Sequence, residues 1–295
     1  MSARGALARS LRGVLLLGLA LVGASVARGA DPSKGELRSQ AAFRVCADPA
    51  NLPFSNDKGE GFENKIAELF AEALGLPLVY AWHPQTIGFV RNTLGGYACD
   101  VIMAVTAAHE LVQNTRFYYR STYVLLYRAA DRGTYDSLDS PMAAVARIGL
   151  VANTPPAVLV ERRGLIGNVT SYNLIVDTRV EHPAKQAVDD LVAGRIDMAL
   201  LWGPIAGYWA KRSPVPLEWV PLRSDPGTNT PMDYRISMGL RYGETEWLQT
   251  LNRLIREKQK DIDRILDSYG VPLLDARGRL VNPPPWLAGS AGRSN

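Results

Sequence analysis

Three histidines (His83, His109 and His182), two cysteines (Cys46 and Cys99) and 29 carboxylate side chains are what this 295-residue sequence offers to chemistry. Acid–base catalysis needs a titratable group held within hydrogen-bond reach of the proton it moves, with a neighbour that tunes it. His83 and His109 follow apolar strand-like runs, where loops commonly approach ligands, but each stands alone in the sequence. Solitary histidines are more often hydrogen-bonded structural residues than catalysts, and His182 beside Pro183 adds nothing to either reading. No Gly-x-Ser-x-Gly elbow, His-Glu-x-x-His pair or EF-hand spacing occurs. The acidic pair Asp189-Asp190 falls on a helix face and reads as solvated charge. Hydrolase and metal-enzyme chemistry therefore finds no support.

Cys46 and Cys99 leave two readings open. They are two buried thiols packed as small hydrophobes, or a disulfide closing a loop of about fifty residues and worth about 4 kcal/mol in the chain-entropy account. No Cys-x-x-Cys motif accompanies either residue, so a redox-catalytic role is not indicated.

The beginning of the chain bears on that choice. Arg4, Arg9 and Arg12 precede the apolar run 14-VLLLGLALV-22, and small-residue cleavage patterns follow, the arrangement of a secretory signal peptide over residues 1–30. Nine apolar residues are too few to span a bilayer. The expected product is an exported protein without a stable membrane anchor, in a compartment where disulfides persist. Removing residues 1–30 takes four arginines and no acids, which leaves 29 basic against 29 acidic side chains. The apparent basicity belongs to the leader, and nucleic-acid binding loses its electrostatic basis.

Elements that could position a site follow in regular order. From Arg44 onward the sequence reads strand, loop, helix with Ile66, Leu69, Phe70 and Ala73 at helical spacing, then strand 76-LPLVYAW-82, a helical stretch near 86–94 and strand 100-DVIMAV-105. The same order returns with strand 147-RIGLVA-152, helix 153–164, strand 169–175, helix 184–194 and strand 196-IDMALLW-202. Laying Asp100 on Asp197 repeats the helix, glycine turn, aspartate and strand, and both aspartates read as structural. Alternating strands and helices predict two α/β lobes with mostly parallel sheets. The segment 233–270, read as one strand and two helices, has no complete βαβ unit and is expected to return to the first lobe. The expected division is residues 31–125 and 229–270 for lobe one and 126–228 for lobe two, with crossings near 120–129 and 223–233 as a two-strand hinge. The tail 271–295, with 283-PPPW-286, reads as extended.

At this level the chain resembles the type II periplasmic solute-binding fold, the two-lobed Venus-flytrap receptors. The pieces that carry the resemblance are 44-RVCADPANLPFS-55 with Gly61-Phe62, 117-FYYRSTYVLLYR-128, 148-IGLVANTPPAVLV-160, 193-AGRIDMALL-201 and 247–270. Ligands of such folds sit at the carboxyl ends of the parallel strands. That rule places Phe54, Asn56 and Phe62, then Trp82 and His83, then Thr106 at the first lobe's side of a cleft, and Asn153, Thr154 and Trp202 opposite. The resemblance implies that amino-acid-binding members grip the ligand carboxylate with an arginine after the strand matching 100–105, and its ammonium with an acid after the strand matching 196–201. Here 106-TAAHELVQN-114 holds no arginine, and Trp202 stands where the acid would. A zwitterion would leave both charges unpaired in a partly desolvated site, at a cost of several kcal/mol.

A narrower resemblance fits those departures. The combination VCADPANLPFSN, GEGFENKIAEL, 82-WHPQTIGFVRNTL-94, 99-CDVIMAV-105 and 118-YYRSTYVLLYR-128 is similar to the XoxJ/MoxJ-type, quinoprotein-dehydrogenase-associated branch of the fold. It implies an accessory role in maturation or activation of a periplasmic methanol dehydrogenase, with that enzyme's cytochrome c as a possible further partner. The enzyme would carry pyrroloquinoline quinone with calcium or a lanthanide, and this chain would bind no cofactor. It also implies a Cys46–Cys99 brace in the first lobe, provided the register brings their Cα atoms within about 7 Å. The rival readings are a receptor for a small neutral or aromatic solute stacked among Phe54, Trp82 and Trp202, serving an ABC importer, and, more remotely, a dehydratase on the same scaffold.

Overall fold

The computed structural model describes residues 36–107 and 109–288; the expected leader and the last seven residues of the tail lie outside the described residues. The chain opens with β1 (Phe43–Ala47), the short hairpin β2 (Ala50–Asn51) and β3 (Ser55–Asn56), and helix α1 (Phe62–Leu74). There follow β4 (Leu78–Trp82), the single turn α2 (Phe89–Asn92), β5 (Val101–Thr106), β6 (Gln113–Asn114) and the long strand β7 (Tyr119–Arg128). The second set runs β8 (Ile148–Val151), α3 (Ala157–Arg162), β9 (Val169–Tyr172), α4 (Pro183–Val192), β10 (Met198–Trp202), α5 (Gly203–Ala210) and β11 (Leu217–Pro221). Strand β12 (Asp233–Leu240), helix α6 (Thr245–Ser268) and the turn α7 (Pro285–Ala288) complete it. Among the described residues no helix is long and apolar enough to cross a membrane.

Helix α1 forms because Phe62, Ile66, Ala67, Phe70 and Ala71 share one buried face. At its start the Asn64 side chain reaches back to accept from the Gly61 N–H. At its end Gly75 adopts the left-handed conformation, φ 65°, that closes the last carbonyls. Strand β1 is buried nearly throughout and β5 over Val101–Met103, as expected of strands with both faces covered.

The main sheet has the order β4-β1-β5-β12-β7-β10-β8-β9. Strand β1 is parallel to β4 and β5, and β8 is parallel to β9 and β10, one βαβ set per lobe. The sheet as a whole is mixed, because β12 and β7 run antiparallel to their neighbours where the two sets meet. Strand β7 serves both lobes. Its residues Tyr119–Thr122 pair with β12, and from Tyr123 onward it pairs with β10 and β11. One core lies between the first set and helices α1 and α6, and a smaller cluster around Cys46, Phe89, Cys99 and Ile102 covers the opposite face. Two further cores cover the two faces of the second set.

Several expectations are corrected. The region after β12 is one 24-residue helix and not two, since nothing in 245–268 breaks the spacing of Trp247, Leu251, Leu254, Ile255, Ile262 and Leu266. Helix α2 is a single turn, followed by Gly95 and Gly96, where an added Cβ would stand 3.1 Å from the Arg91 or Asn92 carbonyl oxygen. The tail is not merely extended: Leu274 bridges Leu280, and Pro285 takes the first position of a turn, as proline readily does, so that Trp286 packs on Trp219. The Cys46–Cys99 brace, by contrast, is present as expected, with Cα atoms 5.3 Å apart.

Candidate functional site: the cleft between the lobes

A cleft of about 680 Å³ lies between the two strand sets. Its first wall is the loop that leaves β1, the β2–β3 hairpin with Phe54 and Asn56. Its second is the end of β10 with Trp202, the first turns of α4 and α5, Thr154, and the loop 173–178; Tyr123 of the shared strand forms part of the lining. The sequence builds these walls at strand ends because a strand that stops within the sheet hands its next residues to the gap between lobes.

Four of the expected residues meet there: Phe54, Asn56, Thr154 and Trp202. Trp202 packs edge-on against Tyr123, with centroids 5.1 Å apart, and against Tyr234 at 6.0 Å, an aromatic cluster where the chain passes between lobes. Asn56 lines the wall but spends its polar atoms locally, donating to Glu60 at 2.7 Å and accepting the Glu60 N–H. Thr154 donates to the Val151 carbonyl at 2.6 Å. These two shape the cleft more than they present free groups to it.

The other five expected residues do not line it. Phe62 is fully buried among Phe54, Tyr119 and Tyr269. Trp82 stacks on Tyr80 at 4.4 Å along the edge strand. His83 contacts the Pro84 carbonyl through Nδ1 and turns its ring toward Phe89. Thr106 ends β5, and its carbonyl accepts from Asn114. Asn153 is an exposed turn residue with φ 59°. The strand-end rule located the right loops but could not say which way each side chain turns. Edge strand β4 and the turn after β8 direct theirs elsewhere.

The residues that sequence reading missed lie in one loop and beside one strand. Leu174, Ile175 and Thr178 belong to the segment after β9, part of which reads as strand from its apolar residues, and His182 and Lys185 begin α4. Lys185 is held by Asp189 at 2.6 Å and lies over the Trp209 ring. Asp48, at the end of β1, is 2% exposed and accepts hydrogen bonds from the Ala50 and Gln85 N–H groups and from the Thr178 hydroxyl. Its position immediately after a buried strand and before Pro49 was the available signal. Nearby, Glu63 in the first turn of α1 has its pKa pushed up to about 8, by burial and then by the negative charge of Asp48. Among the described residues no arginine lines the cleft, so neither wall offers the guanidinium that would hold a carboxylate in bidentate fashion.

Two α/β lobes sharing a mixed sheet, with an aromatic cleft between them, define a periplasmic binding protein of type II architecture. No family model matches the sequence. The solved structure of the periplasmic binding protein XoxJ from Methylobacterium extorquens AM1 is 40% identical, with a TM-score of 0.68 over 79% of this chain and all of that one. Protein MoxJ of Paracoccus denitrificans is 29% identical over 252 residues, 79% of this chain and 89% of that protein. Protein MoxJ of Methylorubrum extorquens is 28% identical over 262 residues, 84% and 85% of the two chains. The chain belongs to the XoxJ/MoxJ-type family of this fold. Its fold is that of a periplasmic binding protein.

Proposed function

We propose that this chain is a periplasmic accessory factor for a methanol dehydrogenase that carries pyrroloquinoline quinone with calcium or a lanthanide, acting in the enzyme's maturation or activation. Membership in the XoxJ/MoxJ family supports the reading. The observation that carries it is the cleft wall: Trp202 fills the acid's place, and among the described residues no arginine lines the walls, so the two positions that grip an amino acid in the wider fold lack their charged groups while the two lobes remain. In this reading the chain holds no cofactor itself, and the dehydrogenase's cytochrome c is a further candidate partner. The test is to purify the matched dehydrogenase from cells with and without this chain, measuring quinone and metal per enzyme and co-elution of the two proteins. Lower loading without the chain, or a stable complex, is expected; full loading and no association would discard the reading.

A second reading rests on the same aromatic lining, namely reception of a small neutral or aromatic solute between Phe54 and Trp202. A ligand present at one hundred times its dissociation constant stabilises a protein by about 2.7 kcal/mol. Reproducible thermal stabilisation by one compound class would favour import, whereas free amino acids are expected to give neither a thermal shift nor saturable heat.

A further inference from the structure

Receptors of this architecture are usually described as hinged jaws that a solute draws together. Here the jaws already touch through the protein itself. The Thr178 hydroxyl, on the loop after β9, lies 2.7 and 2.8 Å from the two carboxylate oxygens of Asp48 at the end of β1. The same carboxylate accepts the Gln85 N–H at 2.6 Å and the Ala50 N–H at 2.9 Å, so its orientation is fixed before the second lobe arrives. It is almost completely buried in this contact, where a hydrogen bond to an ionised acceptor is strong and its loss leaves a charge poorly solvated.

A second contact joins the lobes as closely. Helix α5 of the second lobe meets the end of α6 at Gly207 and Gly270, where a Cβ on Gly207 would stand 1.8 Å from the Gly270 carbonyl oxygen. The Lys211 ammonium donates to the Ser268 carbonyl at 3.0 Å, and the Tyr208 and Tyr269 rings lie parallel at 5.8 Å. The lobes are therefore held together at two places besides the shared strand, the glycine contact and Asp48.

We propose that the cleft is closed by the chain's own Asp48–Thr178 hydrogen bond, so that lobe closure requires no solute. The carboxylate at the end of β1 spends its charge on the facing lobe, and a small molecule has no bridging role left to fill. The proposal does not depend on the partner assigned above, since its test needs this chain alone.

The experiment places one spin label on each lobe, at the exposed positions Glu72→Cys and Glu161→Cys, in full-length protein that has been unfolded and refolded to strip any co-purified solute. Inter-label distances are then read by pulsed dipolar spectroscopy. A single narrow distribution is expected. Thr178→Val, in a surface loop, should add a longer-distance population, and Thr178→Ser, which keeps the hydroxyl, should restore the narrow one. A broad or two-component distribution in the stripped parent protein, or Thr178→Val traces that match the parent, would overturn the proposal.

Discussion

Asp100 and Asp197 are the same device used twice. Asp100 accepts from both Nε and Nη2 of Arg44 at 2.7 Å, from Arg241 and from the Ser39 N–H; Asp197 accepts from Arg147 through Nε, Nη2 and its backbone N–H. Each aspartate's own N–H donates to the carbonyl of the arginine it binds, Arg44 or Arg147, so each staples the start of one parallel strand to the next. Burial alone would raise the Asp100 pKa, but the hydrogen bonds from Arg44, Ser39 and Arg241 outweigh it and hold the carboxyl below its ordinary value. For Asp197 the Arg147 bonds dominate in the same direction. A depressed folded pKa means stability that is complete above the unfolded carboxylate's pKa, near 4, and lost as pH falls through the lower folded value. Asp100→Asn should cost about 3 kcal/mol near neutral pH, because it leaves Arg44 and Arg241 without their shared partner. It should also flatten the acid limb of a stability–pH curve measured by urea unfolding. Glu63 has the opposite sign: with a folded pKa raised to about 8, it binds its proton more tightly when folded, so stability declines as pH rises from about 4.5 to 8. Glu63→Gln should therefore raise the melting temperature at pH 8 and above while changing little near pH 4.

At the scale of elements, the first lobe's disulfide joins Cys46 within β1 to Cys99, just before β5, across 53 residues. Both cysteines are buried on the sheet face covered by Phe89, Leu94 and Ile102, opposite the face packed on α1 and α6. That smaller core is built largely from a single-turn helix and loops, so the crosslink supplies what a longer helix would otherwise provide. Replacing both cysteines with alanine should lower unfolding stability by about 4 kcal/mol less any relaxation, read from urea midpoints at constant slope. The elements around it show what sequence can and cannot convey. Helix α1 and strands β1, β5, β8 and β10 are legible because their apolar spacing, glycine stops and strand-end aspartates agree with one another. Helix α2 was overread because the apolar residues Ile87, Phe89, Val90 and Leu94 satisfy helical spacing, although Gly88 adopts φ 91° and the chain turns. At the cleft, Phe54 and Trp202 were legible from their place at strand ends. Asp48 offered only its place after a buried strand, and Thr178 and Leu174 offered no signal, because their role exists only once the two lobes face each other and no local pattern encodes a contact 130 residues apart.

Across the whole molecule, the tail ties the two lobes together. Val271 and Leu273 are buried in the first lobe's core. Ser121 donates to the Pro272 carbonyl at 2.6 Å and Leu274 donates to the Arg120 carbonyl at 2.9 Å, both along the half of β7 that pairs with β12. Fewer than ten residues later Leu280 packs on the second lobe's core, and Trp286 follows, its indole N–H donating to the Trp219 carbonyl at 3.0 Å and its ring meeting the Trp219 ring edge-on. The tail is thus a third passage between lobes, beside β7 and the segment that leads into β12, and it makes unfolding of one lobe felt by the other. Trp286 is only half-buried, so Trp286→Ala should cost about 2 kcal/mol, below the 3 to 5 kcal/mol typical of a fully enclosed tryptophan. Ending the chain after Asn282 keeps the bonds from that side chain to Val271 and Asp267, and so leaves the end of α6 and Leu280 in place while removing the Trp286 anchor on the second lobe. In calorimetry the full chain should unfold in one transition, whereas the shortened chain should separate into two, with the second lobe melting first. A single transition of unchanged midpoint after that truncation would mean that the remaining links between the lobes, from the shared strand to the Gly207 and Asp48 contacts, couple them without Trp286.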